Sequence, residues 1–308
     1  NCLKMLYELD PAAVVAFRTQ LMYPLHFARL LSRRRPELFL FYRIGVGSHV
    51  RKDPLHRRMF RHFAAVVPNA DYVGDKIVRQ WGIDPQKVVC IKSGVDTTRY
   101  RPDAERRKIL RQELNIPMDA ILIGSSGRIH PEKGSEILLR ALYDGTGPAR
   151  DRADVHLLYV GREYQPGYAD KLQKIAAELG VADRFHIVGF RNDVEAVYSA
   201  LDLFAFAVTS REAYAYVALE AMASGVAMLL PATGGLTEMF DDGVEGFFYR
   251  HNDLNSLRDK LALALQQSPQ QLKRMGSAAR ERIIKTAQWD SMMEKYLELF
   301  QTSGVKGF

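Results

Sequence analysis

The chain has 308 residues, enough for two domains with separate hydrophobic cores. Its composition, 47% hydrophobic and 26% charged, is that of a globular protein and not of a disordered chain. The longest apolar runs fall far short of the roughly 18 residues that a membrane-spanning helix needs. Cys2 and Cys90 form no Cys-x-x-Cys pair and stand in no histidine cluster, which argues against a disulfide framework or a zinc site. Cys90 is predicted to be a buried free thiol in a reduced, intracellular protein.

One segment carries more excess positive charge than the net charge of +7 of the whole chain. Between Arg18 and Phe63 stand eleven Lys or Arg residues against only Glu37 and Asp53. Such a segment suits an anionic membrane surface, an acidic acceptor or nucleic acid, and it also occurs as an ordinary solvated face. Nucleic acid is the weakest of these alternatives, because no recognition motif accompanies the charges.

Apolar runs and helical stretches alternate in the first part of the chain. The predicted strands are Leu38–Ile44, Ala64–Pro68 and Lys87–Ile91. The predicted helices are Tyr23–Arg34, Pro54–Phe63 and Asp71–Trp81, with Gly82 as the stop of the last one. These elements amount to about half of a Rossmann-like domain, and no Gly-rich first turn precedes them.

From Ala120 onward the alternation of strands and helices is regular. Buried parallel strands are predicted at Ala120–Ser125, Val155–Gly161, Phe185–Gly189, Leu203–Val208 and Ala227–Leu230. Helices are predicted at Ser135–Leu142, Tyr168–Leu179, Asp193–Ala200 and Tyr214–Ala223. This pattern with short loops predicts an α/β fold with a doubly wound parallel sheet.

The turn Ser93-Gly94-Val95-Asp96 follows a predicted strand, and we place a domain boundary there. The sequence thus predicts a partial Rossmann-like domain over 1–95 and a complete one over 96–287. A C-terminal helix over 288–308, with an apolar stripe, is expected to pack back towards the N-terminal domain. The first residues show no signal-peptide pattern. The chain opens on Asn1 and not on Met, so its start need not be the natural one.

A loop of glycines and cations runs from Gly127 to Gly134, directly after a predicted strand and before a helix. Gly127 lets the chain leave the strand sharply. Arg128 and Lys133 place two cations at the carboxyl edge of a parallel sheet, beside a helix N-terminus, which suits a diphosphate. As a bare pattern this is weak, because many surface loops have it.

A second cluster runs from Glu212 to Glu220 and follows the predicted strand Leu203–Val208. The small residues Ala213 and Ala215 let a ligand approach the backbone, and N–H groups of the first helical turn can bind phosphate. Eight residues of helix span about 12 Å, so the two glutamates are expected to address opposite ends of an elongated ligand. Either glutamate alone is more often an exposed surface carboxylate, but the strand–loop–helix context favours binding.

Five motifs, taken together and in order, resemble the GT-B glycosyltransferases of family 4, the retaining glycosyl transferases of group 1. They are Ser93-Gly94-Val95-Asp96, the Gly127–Gly134 loop, Val188-Gly189-Phe190-Arg191-x-Asp193, Glu212-x7-Glu220 and Thr233-Gly234-Gly235-x-x-Glu238. The resemblance covers roughly Ala64 to Phe300. It implies two Rossmann-like domains facing a cleft, an acceptor-binding N-terminal one that is incomplete and a donor-binding C-terminal one.

The resemblance also implies roles for the matching residues. Arg128 and Lys133 would neutralise the donor diphosphate. Glu212 would contact hydroxyls of the transferred sugar, and Glu220 would bind the nucleotide ribose. The other residues implied in the donor site are Gly127 in the loop of cations, the backbone of Gly189, Phe190 and Arg191 near the base, Ala213, Tyr214, Ala215 and Tyr216 in the second cluster, and Gly234 and Gly235 in the floor of the cleft.

The implied mechanism is retention by front-face attack, in which a departing phosphate oxygen takes the proton of the acceptor hydroxyl. No protein base is required, and an oxocarbenium-like transition state is favoured by the charges around it. No Asp-x-Asp occurs in the sequence, so cations are expected to replace a metal, and no cofactor is implied.

Some residues depart from the family pattern. Ser93 stands where Asn is usual, and Ala215 stands where Gly is frequent, which requires a negative φ there. The family's acceptor-domain histidine is not assigned. The four histidines considered for it are His26, His49, His56 and His62, of which His49 lies nearest a strand end, and His130 is treated as a neighbour of the phosphate loop.

The leading hypothesis is transfer of a hexose from a UDP- or GDP-sugar to a glycan or glycolipid, in lipopolysaccharide or other cell-envelope synthesis. A sugar-nucleotide epimerase or a phosphorylase is disfavoured, and a non-catalytic nucleotide-sugar-binding fragment remains an alternative. Pro54–Phe63 is either a membrane-surface helix, which would place the protein at the inner face of the cytoplasmic membrane, or a helix that packs on the sheet.

Overall fold

A computed structural model describes residues 2–9, 11–17, 19–32, 35–42 and 58–305. The chain forms two compact units. The first comprises Asn1–Gly94, Glu212–Tyr214 and Trp289–Phe308, and the second comprises Val95–Arg211 and Ala215–Gln288. None of the helices in the described ranges combines the length and apolar character of a membrane crossing.

The first unit contains a parallel sheet in the order β1-β2-β3. Its strands are β1 (Ala13–Ala16), β2 (Glu37–Tyr42) and β3 (Phe63–Pro68). Its helices are α1 (Cys2–Leu9), α2 (Met22–Leu31), α3 (Asp71–Trp81) and α11 (Trp289–Thr302). The apolar stripe of α11 packs in one core with β2 and β3, where Met292, Tyr296 and Leu299 join Phe39 and Val67.

Several predictions for this unit agree with the structure and others do not. Helix α3 has the predicted bounds, and Gly82 ends it with a left-handed φ of +64°. The predicted strand Lys87–Ile91 is reduced to an isolated parallel bridge between Val88 and Val66, and Lys87 ends a 3-10 turn that Asp84 caps. The amides of Val89 and Ile91 nevertheless donate hydrogen bonds to β3.

Two further differences concern the burial of Cys90 and the elements that the sequence does not predict. Cys90, which is predicted to be buried, is only partly buried. The sequence analysis predicts neither helix α1 nor strand β1. Of the predicted helix at 54–63, residues 54–57 lie outside the described part. Met59 is buried, which favours packing on the sheet at this end of the segment. Phe63 begins β3, so the predicted end of the helix at Phe63 is wrong.

The second unit contains a six-stranded parallel sheet in the order β6-β5-β4-β7-β8-β9. Its strands are β4 (Ile121–Ser126), β5 (Val155–Val160), β6 (Phe185–Val188), β7 (Leu203–Ala205), β8 (Ala227–Pro231) and β9 (Gly246–Tyr249). Chain order runs outward from β4 to β6 and then outward again from β7 to β9. This is a doubly wound sheet, and the order reverses between β4 and β7.

Helices cover this sheet. They are α4 (Ala104–Glu113), α5 (Ser135–Tyr143), α6 (Tyr168–Glu178), α7 (Val194–Ala200), α8 (Tyr216–Ala223), α9 (Leu254–Leu265) and α10 (Pro269–Thr286). Strand β5 is buried along its whole length, as expected of an inner strand covered on both faces. Arg111 on α4 is also buried, since its guanidinium bonds Asp202 at 2.7 Å and several carbonyl oxygens.

Candidate active site

The two predicted site loops follow β4 and β7, which are neighbours at the switch point of the sheet. Parallel strands end at the same edge, so both loops emerge side by side. A hydrogen bond joins them, from the Thr209 amide to the Glu132 carbonyl oxygen at 3.1 Å. The structure therefore brings the Gly127–Gly134 loop against the segment that follows β7.

Glycine is required at Gly134 for two reasons. Its φ is +73°, and a Cβ atom there would lie 1.8 Å from the Ala207 carbonyl oxygen. The preceding residues form a 3-10 turn at Pro131–Lys133, and Nδ1 of His130 accepts a weak hydrogen bond of 3.4 Å from the Glu132 amide. His130 thus caps the 3-10 turn within the Gly127–Gly134 loop, and Gly134 lets that loop approach the end of β7 closely.

Arg128 and Lys133 each lie over an aromatic ring. The Arg128 guanidinium carbon is 5.0 Å from the centre of the Tyr164 ring, and the Lys133 Nζ is 5.5 Å from the centre of the Phe206 ring. Tyr164 is held there because its amide donates to the Ile129 carbonyl oxygen at 3.1 Å. Both cations therefore have aromatic supports at the carboxyl edge, and neither ring was found by sequence reasoning.

Glu220 lies on α8 in a mostly buried setting. Its Oε2 accepts a hydrogen bond of 2.7 Å from the Tyr198 hydroxyl, which is 2.8 Å from Ser126 Oγ. Burial raises the pKa of the Glu220 carboxyl, and hydrogen bonds from Tyr198 and Tyr100 act against this rise. Ser126 immediately precedes Gly127, so these hydrogen bonds connect the Glu220 carboxylate to the start of the Gly127–Gly134 loop.

The segment after β6 contains one exposed and one tightly held side chain. Phe190 is 61% exposed, and the guanidinium carbon of Arg162 lies 5.3 Å from its ring centre. Arg191 bonds Asp193 and Glu113, at 2.8 Å and 3.1 Å for its Nη2, and these bonds raise its pKa. The Arg191 side chain therefore fixes the loop, which leaves the predicted base contacts to the backbone from Gly189 onward.

The remaining predicted residues are divided between the units. Ala215 caps α8 with a φ of −89°, so alanine fits without strain, and Tyr216 begins the helix. Gly234 has a φ of +58° at the start of the 3-10 turn after β8, where Gly235 is buried. Glu212, Ala213 and Tyr214 belong to the first unit, and their contact with a donor stays a prediction.

The comparisons with known proteins identify the family. Residues 106–282 match the family described as Glycosyl transferases group 1. The chain belongs to this family. It is 33% identical to a D-inositol 3-phosphate glycosyltransferase of Streptomyces bingchenggensis over 222 residues, 70% of this chain and 48% of the relative. It is also 33% identical to the Streptomyces coelicolor enzyme of the same name over 267 residues, 79% and 56% of the two chains. The chain spans about half the length of the curated relatives it matches.

Solved structures show the same fold as this chain. A glycosyltransferase from Rickettsia africae has a TM-score of 0.86 at 19% identity, over 99% of this chain and 80% of that one. HepE from Anabaena, solved with UDP, has a TM-score of 0.85 at 20% identity, over 97% and 80% of the two chains. The predicted GT-B fold with two Rossmann-like domains is confirmed.

The structure places only some of the histidines considered for the acceptor side. His26 on α2 is buried, and its ring centre lies 4.9 Å from that of His62. Burial lowers the pKa of both rings, and Arg29 and Arg58 lower them further. His49 and His56 lie outside the described residues, so the acceptor-side histidine stays unassigned. In the described ranges, no group of three or more His, Cys, Asp or Glu is arranged to hold a metal ion.

Proposed function

We propose that this glycosyltransferase moves a hexose from a UDP- or GDP-sugar to a glycan or glycolipid acceptor with retention of the anomeric configuration. The observation that carries the proposal is the position of Arg128 and Lys133. Both stand on the loop at the switch point of a doubly wound sheet, where α/β proteins bind nucleotides. Membership in the family and the UDP bound by HepE support the same ligand class.

The donor diphosphate would lie against Arg128, Lys133 and the N-terminus of α5. The charge on the leaving diphosphate grows as the glycosidic bond breaks, so fixed cations stabilise the transition state more than the ground state. Glu220 would accept hydrogen bonds from the ribose hydroxyls, and Glu212 would contact the sugar. A leaving phosphate oxygen would take the proton of the acceptor hydroxyl, and the cations would act where other glycosyltransferases use a metal.

The acceptor is proposed from the relatives and the charge pattern. The curated relatives are named for D-inositol 3-phosphate, and WaaG, a likeness at a TM-score of 0.66 and 22% identity, is described as involved in lipopolysaccharide biosynthesis. Both support a polar acceptor of the cell envelope that carries hydroxyl groups. The basic segment from Arg18 to Phe63 would hold the protein against the anionic inner face of the cytoplasmic membrane.

A second function is a nucleotide-sugar-binding protein without transferase activity. The two functions differ in turnover and not in binding.

Incubation with UDP-glucose, UDP-N-acetylglucosamine and GDP-mannose, each with D-inositol 3-phosphate, tests the proposal. The expected result is release of one nucleoside diphosphate and an α-linked product by NMR, unchanged by EDTA. Arg128→Ala combined with Lys133→Ala should abolish turnover. Lys273→Ala with Arg274→Ala, two exposed cations on α10, should leave it intact. Binding without turnover with any donor would favour the second function, and a β-linked product would contradict retention.

A further inference from the structure

A buried chain of hydrogen bonds lies beneath the predicted ribose carboxylate. The Tyr198 hydroxyl is 2.8 Å from Ser126 Oγ and donates to Glu220 Oε2 at 2.7 Å. The Tyr198 side chain is fully buried, so these partners replace water for its hydroxyl. The chain joins three elements, because Ser126 ends β4, Tyr198 lies on α7 and Glu220 lies on α8.

The position of this chain links both halves of the sheet. Strand β4 begins the first half, whereas α8 follows β7 in the second half. Ser126 directly precedes the phosphate loop, and Glu220 lies one helical turn beyond Tyr216, at the start of α8. A single hydroxyl group therefore ties the base of the phosphate loop to the carboxylate of the neighbouring helix.

We propose that Tyr198 is a positioning residue that aims the Glu220 carboxylate at the nucleotide ribose and keeps it ionised. The inference rests on the proposed function, in which Glu220 binds the ribose. A carboxylate accepts hydrogen bonds at both of its oxygens, whereas a neutral carboxyl group uses one oxygen as a donor, so the ionised group is the stronger acceptor for the two ribose hydroxyls. Tyr198 uses one lone pair of Oε2, and each carboxylate oxygen has two.

The charges around Glu220 explain why such a residue is needed. Burial disfavours the ionised carboxyl, and the nearby Glu195 disfavours it further. The hydroxyls of Tyr198 and Tyr100 and the guanidinium of Arg99 act in the opposite direction. Arg99 is itself paired with Glu195 at 3.2 Å. The direct hydrogen bond from Tyr198 is the largest of the effects that keep the Glu220 pKa down.

The test compares UDP with its 2′,3′-dideoxy analogue, and GDP with its own, by calorimetric titration between pH 5 and 8. The wild-type chain should bind the ribonucleotide at least about tenfold more tightly near neutral pH, the effect of a hydrogen bond to a charged group. This preference should fade as the pH falls through the pKa of Glu220. In Tyr198→Phe the preference should shrink to below about threefold, and its loss should begin at a higher pH.

Tyr143→Phe is the matched control, because the Tyr143 hydroxyl is equally buried and donates to the Val155 carbonyl oxygen at 3.0 Å on the other side of β4. It should leave the preference and its pH midpoint unchanged. If Tyr198→Phe does not fold, Ser126→Ala takes its place. Ser126→Ala keeps the ring and removes one partner of its hydroxyl, and it should shift the midpoint in the same direction by less.

Each outcome decides one question. A wild-type preference that persists unchanged in folded Tyr198→Phe, or in Ser126→Ala where the first variant fails to fold, overturns the inference and leaves the donor site standing. Equal effects of Tyr198→Phe and Tyr143→Phe also overturn it, because the loss would then follow from any buried Tyr→Phe change. A wild-type chain that binds both analogues alike refutes the ribose role of Glu220, and one that binds no nucleotide refutes the proposed function itself.

Discussion

Two arginines at the carboxyl edge of the second sheet differ in what surrounds them. Arg128 lies over the face of Tyr164, which attracts its charge but takes none of its N–H donors. Arg191 donates to Asp193 and Glu113, so its donors are used within the protein. The comparison teaches that a position at this edge is not sufficient for an arginine to bind a ligand anion. An aromatic ring attracts the charge of an arginine without using its N–H donors, which can then bind an anion. Carboxylates that accept from those donors make the arginine a structural part of the loop instead.

The largest expected effect concerns the backbone that places Arg128. In Gly134→Ala, a Cβ atom meets the Ala207 carbonyl oxygen, and the residue must also keep a positive φ. We expect the free energy of unfolding to fall by about 2–3 kcal/mol and nucleotide binding to weaken. The control is Gly145→Ala, whose φ is +49° but whose Cβ would meet no atom within 4 Å. Equal losses in both variants by urea denaturation would refute the close-approach argument.

Arg128→Ala and Arg191→Ala break the comparison directly. Arg128→Ala should weaken binding of a nucleoside diphosphate at least about tenfold and leave stability nearly unchanged. Arg191→Ala should lower the free energy of unfolding by about 1 kcal/mol, because two carboxylates lose their partner, and should change affinity little. Titration and denaturation of both variants measure this, and the reverse pattern would show that the two roles are exchanged.

The next prediction concerns the pH dependence of stability, which is expected to depend on residues within the sheet and not on the predicted donor site. His156 on β5 and His186 on β6 share a hydrogen bond of 3.0 Å, and burial lowers the pKa of His186 to about 4. An unfolded histidine titrates near 6.5, so the unfolded state takes up protons first as the pH falls. The full pKa difference would be worth about 3 kcal/mol, but His186 is only partly buried, so we expect about 1–2 kcal/mol of the stability present above pH 6.5 to be lost between there and pH 4.

His186→Gln should reduce this slope of stability against pH, and nucleotide binding at pH 7 should be unaffected. An unchanged slope in His186→Gln, measured by denaturation at several pH values, would assign the acid sensitivity to other groups.

The smallest expected effect concerns Tyr164, whose ring lies against the Arg128 guanidinium. Tyr164→Leu removes the ring beneath Arg128, and we expect the affinity for a nucleoside diphosphate to fall by about threefold, the worth of an exposed cation–π contact. In an Arg128→Ala background the same change should have no further effect. An equal loss in both backgrounds would mean that Tyr164 acts on the ligand by another route.

The regular second unit was largely predictable from the sequence. Its strands are short buried apolar runs that alternate with helices, and the order of the elements then dictates the switch point. Boundaries were less accurate near the site. Strand β7 ends at Ala205, three residues before the predicted end, although the Phe206 amide still donates to the Leu229 carbonyl oxygen. Helix α8 begins at Tyr216, two residues later than predicted, after Ala215 in extended conformation.

The supporting residues of the site could not be predicted. Tyr198 is the aromatic residue of the short helix α7, and its sequence pattern reveals neither its depth nor its hydrogen-bond partners. Tyr164 acts through a contact between two loops that sequence patterns do not specify. The partners of Arg191 come from opposite sides in sequence, since Glu113 lies on α4 and Asp193 directly precedes α7. Long-range pairing of this kind depends on the packed fold.

A calorimetric titration with UDP, GDP and ADP tests most directly whether the Gly127–Gly134 loop is the donor site. The wild-type chain should bind one of these nucleotides selectively. Arg128→Ala combined with Lys133→Ala should weaken that binding by at least about 100-fold, while Lys273→Ala with Arg274→Ala should leave it unchanged. A folded chain that binds no nucleotide, or that binds equally well without the two loop cations, would contradict the assignment.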